Sequence, residues 1–122
     1  MKKERQVLRN LEKKADCLLQ IKFKEKNNIC IVCGQQSSCG HHVVFKSQSN
    51  ALRYSINNLV PLCAKCHTRL HFSGDPAILG TIIKVKGLDW FDQLQKERHK
   101  ICKHTKEYLE NIIEKLSSKL PF

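Results

Sequence analysis

Apolar residues recur at three- and four-residue spacing from the start of the chain. Val7, Leu8, Leu11, Ala15, Leu18 and Leu19 fall on one face of a helix predicted over residues 1–26. Lys3, Arg9, Lys13 and Lys14 fall elsewhere on that helix and are expected in solvent, and Asn27-Asn28 ends it. The pattern then changes. Ile29, Ile31 and Val32, then Cys33-Gly34 and Gly40, then Val43, Val44 and Phe45 are short β-branched runs punctuated by turn residues, which predicts a small hairpin over 29–45. Residues 46–58 are polar and predict a loop. Pro61-Leu62 breaks the chain before a short helix from Ala64 to Phe72, which Gly74 closes. Asp75-Pro76 is a helix start, an N-cap acceptor followed by proline at the first position. That helix runs to Lys86, and Gly87 stops it. Another begins near Leu88 and carries Trp90, Phe91 and Leu94. The last begins near Thr105, with Tyr108, Leu109, Ile112, Ile113, Leu116 and Leu120 on one face. The expected organisation is one domain over 1–122: a basic N-terminal helix (1–28), a core carrying the chemistry (29–72) and a helical C-terminal scaffold (75–122).

Charge narrows the partners. Lys and Arg number 22 against 11 Asp and Glu, a net charge of +11. So large an excess on so short a chain favours a polyanion, nucleic acid before an anionic membrane surface. No apolar run approaches the roughly 20 residues of a membrane span. No apolar stretch follows the basic first residues, so a secretory leader is not expected and the cytoplasm is the expected compartment.

The seven cysteines include two Cys-x-x-Cys pairs, Cys30/Cys33 and Cys63/Cys66. Thiols are kept reduced in the cytoplasm, so metal binding is favoured over a disulfide framework. Four thiolates close a tetrahedral zinc site and leave no position for water, which makes such a site structural. The long stretch between the pairs is expected to enclose a functional element. Cys39 is a fifth candidate without a partner at ligand spacing, and Cys17 and Cys102 sit in helical patterns as packed thiols.

Four of the six histidines fall within residues 41–71. His67 and His71 are four apart on the predicted helix, so they share a face and can ligate one ion. His41 and His42 are adjacent in a predicted strand and point to opposite sides, so they cannot easily do the same job. One can bind metal while the other faces water or substrate, which separates a Lewis acid from a general base. The plainer alternative is that some of these imidazoles replace cysteines in the zinc site.

Taken together, Cys30, Cys33, Gly34, His41-His42-Val43, Asn58-Leu59-Val60-Pro61-Leu62-Cys63, Cys66-His67 and His71 resemble the HNH endonuclease family. More loosely, the layout with Leu52-Arg53-Tyr54 between the pairs and helices after them resembles the lambdoid phage recombination proteins NinG and Rap. The HNH resemblance implies an α+β fold, a zinc-stabilised ββα-metal core flanked by N- and C-terminal helices. It implies His42 as general base, His41 and His67 as ligands of a catalytic divalent ion, and His71 as an additional ligand. Asn58 either ligates that ion or braces the loop carrying the base. Magnesium or manganese is the favoured ion, with zinc or nickel admitted by a set of three histidines. Arg53 is a candidate phosphate contact, its plainer reading being a surface charge.

The expected function is metal-dependent hydrolysis of DNA phosphodiester bonds in a bacterial or phage-infected cell. Two alternatives stand beside it. One is a structure-selective nuclease for branched recombination intermediates, which would act as a homodimer. The other is a zinc-ribbon module that binds DNA without cutting it.

Overall fold

A computed structural model describes residues 2–118 of the chain. Helix α1 spans Lys2–Lys24, and strand β1 spans Cys39–His42. A single 3-10 turn at Ile56–Asn58 leads into strand β2, Leu59–Leu62. Four helices follow: α2 (Ala64–Phe72), α3 (Pro76–Lys86), α4 (Leu88–Glu97) and α5 (Lys106–Ser117). Leu120, assigned to the last helix from its spacing, lies outside the described residues. The fold is α+β, with five helices and a two-stranded sheet among the described residues. None of those helices is long and apolar enough to cross a membrane.

The helix boundaries follow local chemistry. The Asp75 side chain accepts from Ala77 N at the start of α3, with Pro76 at the first helical position. The Thr105 hydroxyl accepts from Tyr108 N at the start of α5. Gly87 ends α3 with a φ of +103°, a conformation that L side chains rarely adopt.

The hairpin expected over 29–45 does not form. Residues 29–36 make only one isolated bridge, Ile29 with Gln36, around a turn in which Gly34 N donates to Cys30 O. Gly34 takes a φ of +76° there. The metal-ligand turn at Cys30–Gly34 competes with an extended strand for the same residues, and the turn wins. Strand β1 pairs instead with β2, antiparallel, His41 opposite Val60 and His42 opposite Leu59. Pro61, expected to break the chain before α2, sits instead within β2 opposite Gly40. It is tolerated because it needs no partner on the β1 side. Gly40's own N–H and C=O face away from β2, toward the side chain of Gln20.

Three apolar clusters hold these elements. The first joins α1 to α5 through Ala15, Leu19, Phe23, Leu109 and Leu116, with Tyr54 and Leu59 beneath. The second packs Val60 and Leu62 of β2 and the cysteines Cys30, Cys63 and Cys66 against Ile78 and Ile82 of α3. The third sets Leu94 of α4 against Val44 and Leu52 of the long loop. Trp90 of α4 donates its indole N–H to Asn57 O at 2.8 Å. The helices thus grip both ends of the β1–β2–α2 unit.

Candidate active site

The two cysteine pairs meet. Cys30 and Cys33 come from the turn before β1, and Cys63 and Cys66 from the start of α2, where the Cys63 sulfur caps the helix by accepting from Cys66 N. The four sulfurs lie within 4.8 Å of one another, and Cys33 and Cys63 are 3.5 Å apart. A tetrahedral zinc with Zn–S of about 2.3 Å sets sulfurs roughly 3.8 Å apart, so the cluster fits a structural zinc. Burial opposes ionisation of Cys30, but backbone N–H groups around its sulfur outweigh this and bring it down to about 6. Burial and the neighbouring thiols push Cys66 up to about 12. Four thiols this close repel one another once ionised, and a bound cation would neutralise them together.

A second set of candidate ligands gathers separately. His41 from β1 and His67 and His71 from α2 bring one ring nitrogen each to within 4.8 Å of the others. Ring centroids are 5.1 Å apart for His41 with either helix histidine and 4.5 Å for His67 with His71. Burial, then the neighbouring imidazoles, lowers His41 to about 3. Burial also lowers His67, with His71 adding to the effect. Both are therefore neutral near pH 7 and carry a lone pair for a metal. An all-imidazole donor set suits zinc or nickel better than magnesium or manganese, which prefer oxygen. Phe45 stacks on His71 at 5.1 Å, and the Cys39 sulfur lies 3.5 Å from His67 Nδ1.

His42 is oriented differently. Its Nε2 lies 2.8 Å from the backbone oxygen of Arg53. A carbonyl can only accept, so Nε2 carries the proton and Nδ1 keeps its lone pair. Burial lowers the pKa of His42, against the Arg53 carbonyl, which raises it. Although neighbours in a strand, His41 and His42 both line one open cleft of about 480 Å³, together with His67, His71, Phe45 and Lys46.

Asn58 does not join the imidazoles. It is fully buried, accepts from Val44 N at 2.8 Å, and donates to Val44 O and Leu52 O at 2.9 and 3.3 Å. With its amide occupied by backbone groups, the geometry favours bracing the 44–52 loop over ligating an ion. That removes the oxygen donor on which the preference for magnesium rested. Arg53 is no free surface charge. Its guanidinium forms a two-pronged pair with Asp16 and a further bond to Glu12.

Residues 30–73 match the family model described as HNH endonuclease. The match covers just over a third of the chain and ends one residue past α2, so it contains both ligand sets, His42, Arg53 and Asn58. An HNH segment points to nuclease chemistry on DNA. No curated protein and no solved structure matches the chain. Three residues around the site escaped sequence reasoning: Glu12, Asp16 and Gln20. Their four-residue spacing along a basic helix was the available signal, but it reads equally as surface polarity until α1 is docked.

Proposed function

We propose that the protein is a metal-dependent HNH endonuclease that hydrolyses phosphodiester bonds in DNA, with His42 as general base. The observation that carries this reading is the pairing of His42 Nε2 with Arg53 O in the cleft that also holds three convergent imidazoles. A histidine locked in the Nε2–H tautomer offers Nδ1 as a proton acceptor.

In this mechanism His41, His67 and His71 would hold the divalent ion. When bound, the ion supplies Lewis-acid stabilisation to the negative charge that grows on the scissile phosphate and the leaving 3′ oxygen. His42 Nδ1 takes a proton from the attacking water as the water oxygen bonds to phosphorus and the P–O3′ bond breaks. The Arg53 carbonyl keeps the ring aimed and stabilises the imidazolium that results. Asn58 holds the loop that presents that carbonyl, through Leu52 O and Val44. The four cysteines have no chemical role; they tie the turn before β1 to the start of the helix carrying His67 and His71. The net charge of +11 supplies sequence-independent affinity that falls steeply with salt.

The test is nicking of supercoiled plasmid with zinc, nickel, manganese or magnesium, with and without EDTA. Wild-type protein is expected to nick with at least one of these ions, and His42→Ala to lose about a hundredfold or more. Equal cutting by His42→Ala removes the base assignment. Tight binding of one zinc with no nicking under any ion would make the chain a DNA-binding module instead.

A further inference from the structure

Helix α1 lies wholly before the matched segment, yet a stripe along it reaches the elements that carry His42. Glu12, Asp16 and Gln20 follow one another at four-residue spacing and so share a face. Gln20 Nε2 donates to Gly40 O and Gln20 Oε1 accepts from Gly40 N, both at 2.8 Å. Its amide thus takes the place of a missing third strand along β1, two residues before His42. Asp16 accepts from Arg53 Nε at 3.1 Å and from Nη2 at 2.7 Å, and Glu12 Oε2 lies 3.1 Å from Nη1. The carbonyl of that same Arg53 holds the His42 ring. The strand bearing His42 and the acceptor that aims it are therefore both tied to one helix face, and Asp16 and Gln20 line the cleft itself.

We infer that Glu12, Asp16 and Gln20 form a positioning device for His42, and that Arg53 serves it as a positioning residue rather than as a phosphate contact. The inference rests on the nuclease reading for its effect on rate, but not for its effect on the imidazole. A bidentate carboxylate–guanidinium pair is directional in a way a point charge is not, so it restrains the segment that carries the Arg53 carbonyl. An error of about 1 Å in a catalytic group costs up to roughly a hundredfold in rate.

The experiment compares wild type with Asp16→Asn and Arg53→Lys in two measurements. The first is the tautomer of His42 from long-range proton–nitrogen NMR spectra. Wild type is expected to show Nε2–H alone, and both variants a mixture with Nδ1–H. The second is single-turnover plasmid nicking beside DNA affinity. Both variants are expected to cut at least about tenfold more slowly, with affinity held within about twofold. An unchanged tautomer in both folded variants overturns the inference. So does faster cutting or tighter DNA binding by Asp16→Asn, which would mean that the carboxylate restrains an Arg53 meant for phosphate. If wild type cuts nothing while the tautomer responds as expected, the nuclease reading fails and the positioning device stands.

Discussion

The ring of Phe23 lies so close to Gly40 that a Cβ built on the glycine would come within 2.8 Å of it. This contact seats α1 against the strand carrying His41 and His42, and both partners are buried. Gly40→Ala forces an aromatic ring at 4% exposure to move and crowds the Gln20 amide, whose oxygen would be 3.3 Å away. Overpacking of this kind costs about 1–3 kcal/mol. Thermal unfolding should show a midpoint several degrees below wild type; an unchanged midpoint would mean that α1 does not dock as described.

Asn58→Ala should be more damaging. It leaves the N–H and C=O of Val44 without their partner in a buried site, and each such loss costs about 1–3 kcal/mol. Asn58→Asp should not restore stability, because a carboxylate cannot donate to Val44 O and Leu52 O. Denaturant unfolding of both variants is the check. A wild-type midpoint for Asn58→Asp would show that the donated bonds contribute little.

Metal analysis separates the two ligand sets. Protein with His41, His67 and His71 all changed to Ala should retain one zinc per chain, held by Cys30, Cys33, Cys63 and Cys66. Stripping that zinc with a strong chelator should lower the melting temperature sharply, because the ion ties the turn before β1 to α2 and its binding is linked to folding. A triple variant purified without zinc would show that the cysteines do not hold it.

The pH profile of nicking carries the signature of His42. Burial lowers its pKa below the ordinary 6.5, so the neutral, proton-accepting form persists on the acid side of neutrality. The rate should rise with pH through a midpoint below pH 6.5 and then level off at saturating metal. A limb that keeps rising through pH 8 would point to a different base.

The local code was legible. The helix from Ala64 to Phe72, the Asp75-Pro76 start and the Thr105 start each depend on residues within one turn, and the structure follows them. The cysteine pairs and the His67/His71 spacing are equally local, and the structure brings each of them into a cluster that could hold an ion. The misread hairpin marks the limit. Ile29, Ile31 and Val32 carry β-branched side chains, but propensity does not say which strand Cys39–His42 will meet, and Leu59–Leu62 brought the deeper apolar run.

Everything that decides the orientation of His42 is long-range. Arg53 is 11 residues from it, Asp16 is 37 residues from Arg53, and Gln20 is 20 from Gly40. Hydrogen bonds over such separations have no periodicity to betray them. The chain by itself specified helices, turns and the types of ligand, because those follow from neighbours along the backbone. Packing alone chose the strand pairing, turned Asn58 inward and laid an acidic and amide stripe of a basic helix beside the strand and loop around His42, because burial and directional bonding act between parts of the chain that meet only once it is folded.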